Sequence, residues 1–187
     1  MASGNKSDAD GSNGLNGDFG QQAAACIPRL RRYARALTGE RLAADDLVQD
    51  TLERALVKRH LWRLGSDLRA WMFTIMHNVY INQVRSRVAE AALDKVALED
   101  GGHEVAAPAS SIDLLDIADL DAALRQLPVE QREVLLLIGL EELSYAQTAS
   151  ALDVPIGTVM SRLHRGRERL RALTSGAATS APLKVVK

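Results

Sequence analysis

A single cysteine, Cys26, stands in 187 residues, so neither an internal disulfide framework nor a cysteine-rich zinc site is available to this chain. Beside Ile27 in an apolar stretch, it reads as a small core hydrophobe. Long apolar runs are missing, and no charged segment followed by an apolar one opens the sequence; a membrane span and a secretory signal are not expected, and the reading is a cytoplasmic protein. An excess of one charge is missing as well. The 23 Lys and Arg face 24 Asp and Glu, a formal net charge of -1. Free-standing nucleic-acid binders are usually strongly basic, so any DNA binding must rest on local patches or on a partner. Enzyme signatures are absent too: His60, His77, His103 and His164 show no metal spacing with cysteine or carboxylate, no glycine-rich phosphate loop precedes a helix, and there is no Gly-x-Ser-x-Gly elbow. No active site, cofactor, metal or small-molecule substrate is expected.

What is present is helical periodicity, with no segment reading as strand. Residues 1–22 are rich in Gly, Ser, Asn and Asp and offer only Leu15 and Phe19 as sizeable apolar side chains, so they are expected to form a disordered tail. From Ala23 the pattern changes: Ile27, Leu30, Ala34 and Leu37 recur at helical spacing, and Gly39 is placed as a stop. A second helix is expected from about Ala43 to His60, with Val48, Leu52 and Ala55 inward and Asp46, Gln49, Asp50, Glu53 and Arg54 outward. A third runs from about Leu68 to Arg87 and carries Trp71, Phe73 and Tyr80, with Trp62 shortly before it. Periodicity fades over residues 90–111, where Glu90, Asp94, Glu99, Asp100 and Glu104 outnumber Lys95; this reads as an acidic flexible linker. Helical patterning resumes at Ile112. The expected fold is all-α: two small helical domains, residues 23–89 and 112–173, joined by that linker, with a loose tail over 174–187.

The second domain holds the most informative stretch, SYAQTASALDVPIGTVMSRLHRGRERLR from Ser144 to Arg171. Ser144 and Gln147 have capping-box spacing. Asp153 suits a tight left-handed turn, and Pro155 suits the opening of a following helix. In that helix Val159, Leu163, Gly166 and Leu170 fall on one side, and Thr158, Ser161, Arg162 and Arg165 on the other. Two short helices around a tight turn make a helix-turn-helix, whose second helix lies in the major groove. An arginine-rich helix is often only a solvated face. Here Arg162, Arg165, Arg167, Arg169 and Arg171 face Glu168 alone, a one-sidedness that favours DNA contact. On the third helix Thr74, Asn78, Asn82 and Arg85 form a polar stripe near Trp62, Trp71, Phe73 and Tyr80, the equipment for holding single-stranded DNA. Trp71 and Phe73 at this spacing are also what a core would use.

In order, RRYARALTG, ADDLVQDTLERAL, DLRAWMFTIMHNVYINQVRSR, LRQLPVEQREVLLL and the helix-turn-helix resemble the successive signatures of the sigma-70 family, in its compact extracytoplasmic-function group. The resemblance spans about Ile27 to Leu173. It implies a bacterial initiation factor that docks on core RNA polymerase, through the beta-prime clamp helices and beta flap, and that an anti-sigma factor would control. Asp46, Leu47, Gln49, Asp50 and Arg54 match the clamp-binding surface. Trp71, Thr74, His77, Asn78, Tyr80, Asn82 and Arg85 match the surface that opens the minus-ten element, and Asn78 lies at the pocket for a flipped base. Thr158, Met160, Ser161, Arg162, His164, Arg165 and Arg167 match the surface that reads the minus-thirty-five element. Met160 and His77 stand where a cation is frequent in the family, so the promoter sequence is not implied. Two other readings remain: a sigma-like decoy that sequesters an anti-sigma protein, and a helix-turn-helix regulator acting without polymerase.

Overall fold

The computed structural model describes residues 10–63, 65–94 and 112–178. Among these, seven α-helices form and no strand does: α1 (Asp10–Thr38), α2 (Arg41–Val57), α3 (Leu68–Asp94), α4 (Ile112–Arg125), α5 (Val129–Leu135), α6 (Tyr145–Leu152) and α7 (Ile156–Ala178). Most of the linker, residues 95–111, and the end of the C-terminal tail, 179–187, lie outside the described residues; α3 runs on to Asp94 and α7 to Ala178.

The first half is a three-helix packing. Leu30, Tyr33, Ala34 and Leu37 of α1, spaced to share one face, are buried against Leu47 and Val48 of α2 and Met72, Phe73, Met76 and Val79 of α3. Tyr33 and Phe73 meet edge to face at 5.1 Å between centroids. Gly39 ends α1 at φ 77°, a left-handed backbone that a side chain would resist, and its N–H closes the turn on the Arg35 carbonyl at 2.9 Å. Asp67 opens α3, its carboxylate accepting from the Ala70 N–H at 3.2 Å.

The start of α1 differs from expectation. The helix begins at Asp10 rather than Ala23, and Phe19 is only 3% exposed, its ring 5.7 Å from that of Trp62 and 6.2 Å from that of Trp71. The composition of residues 1–22 disfavours a helix standing alone. What overrides it is tertiary: Phe19 and Ala23 gain a tryptophan-lined seat that composition does not reveal.

In the second half, α5 passes into one π-helical turn, Leu136–Leu140, closed by the Glu141 N–H on the Leu136 carbonyl at 3.0 Å. Glu142 then takes a left-handed φ of 56°. Together these turn Glu141 back into the protein, where it is fully buried. The apolar clusters of the two halves run together where α6 lies along α3 and α5 meets α1. Arg132 of α5 bridges the halves. It donates to the carbonyls of Leu37 at 2.8 Å, Arg125 at 2.8 Å and Leu127 at 3.1 Å.

Candidate nucleic-acid and polymerase interfaces

The helix-turn-helix is built by local rules that the backbone obeys. Ser144 caps α6, its hydroxyl accepting from the Gln147 N–H at 3.2 Å while the Gln147 amide oxygen accepts from the Ser144 N–H at 2.9 Å. Asp153 makes the turn at φ 51°, the left-handed conformation its short polar side chain tolerates. Val159 and Leu163 of α7 are buried. At Gly166 the helix comes so close to α5 that an added Cβ would stand 2.9 Å from Leu135 Cδ1. This apolar side fixes which way the other side points. Met160, His164, Arg165 and Arg167 are exposed, and Thr158, Ser161 and Arg162 are half-buried. Arg165 lies back on its own helix, donating from Nη2 to Ser161 Oγ at 3.1 Å and from Nε to the Ser161 carbonyl at 3.2 Å. His164 stands 3.5 Å from Glu168, the acidic residue of this run.

On α3 the stripe divides. Asn78, Asn82 and Arg85 are exposed, while Trp71, Thr74 and His77 are half-buried. The Asn78 amide donates to the Thr74 carbonyl at 2.9 Å, leaving its oxygen outward. Tyr80 corrects the expectation of a base-facing aromatic: it is 7% exposed, and burial is the first cause of its raised pKa, followed by Arg132, which opposes the rise, and Glu133, which adds to it. Phe73 is core, and Trp71 is engaged by Phe19. In this conformation the aromatics support the stripe rather than stack with a base.

On α2, Asp46, Gln49 and Arg54 are exposed, and Gln49 donates to Glu53 at 3.0 Å. Asp50 is half-buried and accepts from Gln83 of α3 at 2.8 Å, so it ties the two helices as well as facing outward. Leu47 also departs from expectation. It is wholly enclosed in the core, because its position on α2 faces α1 and α3, and it reaches any surface only by positioning its neighbours. Asp46 and Arg54 share with Leu42, Asn82 and Arg87 the wall of a shallow groove of about 540 Å³ between α2 and the end of α3.

The seam between the halves holds charged residues that the sequence did not single out. Glu141 accepts from Arg32 Nη2 at 2.9 Å and Nε at 3.2 Å, with Arg29 at 3.7 Å, and its carbonyl accepts from Arg69 at 3.2 Å. Glu133 meets His77 Nδ1 at 2.7 Å. Gln147 donates to Asp67 at 2.7 Å. No group of three or more metal-ligating side chains occurs among the described residues, and no helix there is long and apolar enough to cross a membrane.

An all-helical chain ending in an arginine-bearing helix-turn-helix belongs by class with DNA-binding regulators. Comparison with known proteins is more specific. The family described as "Sigma2 domain of PhyR" matches residues 23–77, and "Sigma-70, region 4" matches residues 117–170. The ECF RNA polymerase sigma factor EcfG of Rhodopseudomonas palustris is 38% identical over 151 residues, 80% of this chain and 81% of that protein. The solved sigma factor RpoE of Bartonella quintana, in complex with the anti-sigma factor NepR, is 37% identical with a TM-score of 0.71, over 84% of this chain and 97% of that one. The anti-anti-sigma factor PhyR of the same organism, also solved with NepR, is 16% identical with a TM-score of 0.55 over 82% of this chain and 49% of that one, a likeness of fold alone. The chain belongs to the ECF RNA polymerase sigma factors, transcription initiation factors that bind DNA through region 4.

Proposed function

We propose that this chain directs core RNA polymerase to a defined set of promoters, α2 docking on the polymerase, the outer stripe of α3 holding the opened minus-ten strand and the outer face of α7 reading the minus-thirty-five element. The observation that carries the proposal is the orientation of α7: burial of Val159 and Leu163 and the close approach at Gly166 leave Met160, His164, Arg165 and Arg167 outward, on a helix whose start is fixed by the turn at Asp153. Side chains so placed can reach base edges in a major groove. On α3, Asn78 offers a donor and an acceptor to an unstacked base, next to Asn82 and Arg85 at helical spacing. Exposed Asp46, Gln49 and Arg54 supply a charged docking face. The protein works in the cytoplasm, where polymerase and promoters are. Since RpoE of Bartonella quintana is solved with NepR and matches across both halves, an anti-sigma protein is a further proposed partner.

Reconstituted transcription with core polymerase on a promoter library is the test: a specific, factor-dependent set of start sites supports the reading, and none refutes it. The match to the Sigma2 domain of PhyR favours a second reading, a decoy that only sequesters an anti-sigma protein. The exposed Asn78 and Arg165 are what a decoy has no use for. A gel shift without core enzyme separates the stand-alone regulator, which alone should bind specific duplex by itself.

A further inference from the structure

We propose that Ile156 and Met160, an apolar pair on the outer face of α7, form a seat for the 5-methyl group of one thymine in the upstream promoter element, which is read at that position by apolar contact and not by a hydrogen bond; this rests on the reading of α7 given above. Both side chains are exposed, Ile156 by 45% and Met160 by 48%, although the core of the second half takes Val159 and Leu163 from the same helix. At a spacing of i, i+4 the two lie one turn apart on one strip of helix surface. Helical side chains lean towards the N-terminus, which brings the Met160 side chain over the turn that carries Ile156. They make one apolar patch. Beside them Gly157 has no side chain, and a Cβ placed there would meet nothing within 4 Å, so no packing inside the protein asks for a glycine and the first turn of α7 is open to a close approach from outside.

The surroundings say what covers the patch. Thr158, Ser161 and Arg162 flank it, His164, Arg165 and Arg167 follow, and the acidic residue of the run, Glu168, comes only after them. Cations of this kind suit an anionic surface, and both residues fall within the span 117–170 that matches Sigma-70 region 4. The N-terminal residues of a recognition helix are the ones that meet base edges. In a major groove those edges offer donors and acceptors at every pair and a single kind of apolar group, the thymine methyl. Isoleucine has no polar side-chain atom and methionine only a weak sulfur acceptor, so neither can pair with the edge of a guanine or an adenine. Arg165 does not intrude: it is drawn back onto Ser161, from Nη2 to Oγ at 3.1 Å and from Nε to the carbonyl at 3.2 Å. A thymine methyl therefore loses water against this pair at no cost in hydrogen bonds, whereas a purine edge would leave a polar atom there without a partner.

The test uses the full chain with core polymerase and a promoter obtained by factor-dependent transcription from a random library. Each thymine of its upstream element, on either strand, is replaced in turn by deoxyuridine, which pairs identically and lacks only the 5-methyl group. At one position the replacement should weaken holoenzyme binding about fourfold, the factor for one methyl-sized group taken out of apolar contact. Met160→Ala should abolish that difference and Ile156→Ala should reduce it, with holoenzyme assembly and the circular dichroism spectrum unchanged in both. An upstream element in which no thymine responds to loss of its methyl group overturns the inference, and so does a uracil penalty of the same size in the parent and in Met160→Ala. Weakened assembly with core polymerase in Met160→Ala, with the uracil penalty retained, gives the patch to a protein partner and likewise overturns it. Absence of any factor-dependent start site refutes the functional reading and this inference with it; start sites that are indifferent to uracil refute the inference alone.

Discussion

Replacing Phe19 with Ala tests whether the first turns of α1 belong to the fold. Burying a phenylalanine contributes about 1.5–3 kcal/mol, and each aromatic pair about 0.5–1.5 kcal/mol beyond that. In a rigid interior the truncation would cost about 3–5 kcal/mol. Among the residues before Ala23 whose burial is described, however, Phe19 is the buried one. Once its seat is lost the segment can undock, so the loss is capped at the docking free energy, about 1.5–3 kcal/mol by the burial figure. For a chain of this length each kcal/mol moves the melting midpoint by roughly 2–4 °C, which gives a fall of about 3–12 °C. Both tryptophans of the chain, Trp62 and Trp71, pack on this ring. Their emission should shift to the red, and amide exchange over residues 18–24 should quicken. An unchanged midpoint together with unchanged emission would refute the reasoning and return residues 1–22 to the status of a loose tail.

Three further outcomes are expected. Arg165→Ala should cost about 1–3 kcal/mol of discrimination at one position of the upstream promoter element and leave holoenzyme assembly intact, as measured by transcription from single-base promoter variants; selectivity identical to the parent would remove Arg165 from the reading set. Ser144→Ala removes the cap of α6 and should lower stability by about 0.5–2 kcal/mol in urea titration, with no loss if the box is ornamental. Burial, then Glu133, Tyr80 and Glu141, hold the Tyr33 phenol well above its ordinary pKa of 10.0, so its contribution is fully present below that value and is lost as pH rises above it through the higher folded-state pKa; the urea midpoint should fall in that window, and Tyr33→Phe should flatten the fall.

The parts that could be read from sequence are those governed by neighbours along the chain. Ser144 and Gln147 announce a cap because both partners lie within one turn, Asp153 suits a left-handed turn by its own chemistry, and Val159, Leu163 and Gly166 keep a helical period. Glu141 could not be read in this way. Its nearest cation, Arg32, is 109 positions away, and nothing in Gly-Leu-Glu-Glu-Leu marks a π turn or separates the buried glutamate from the exposed one beside it. The same holds for the division of the α3 stripe. Periodicity places Thr74, Asn78 and Asn82 on one face, but only the docking of α5 and α6 decides which part of that face meets water. Phe19 shows the converse error: a glycine-rich composition is a statement about an isolated segment, and a seat formed by two distant tryptophans overrules it.

Arg132 has a consequence for how the halves can approach at all. It is 9% exposed, and among the described residues no carboxylate lies within salt-bridge distance of it; it points at backbone carbonyls where α1 and α4 end. The C-terminus of a helix carries roughly half an elementary negative charge. Two such ends brought together repel, and one guanidinium between them makes the sum about zero. The arginine thus acts as the counter-ion of two helix dipoles, one from each half of the chain, and it does so without spending a carboxylate. Methionine in its place would fill much of the same space and leave like poles facing each other, so that the helices would remain and their meeting would become the unfavourable step.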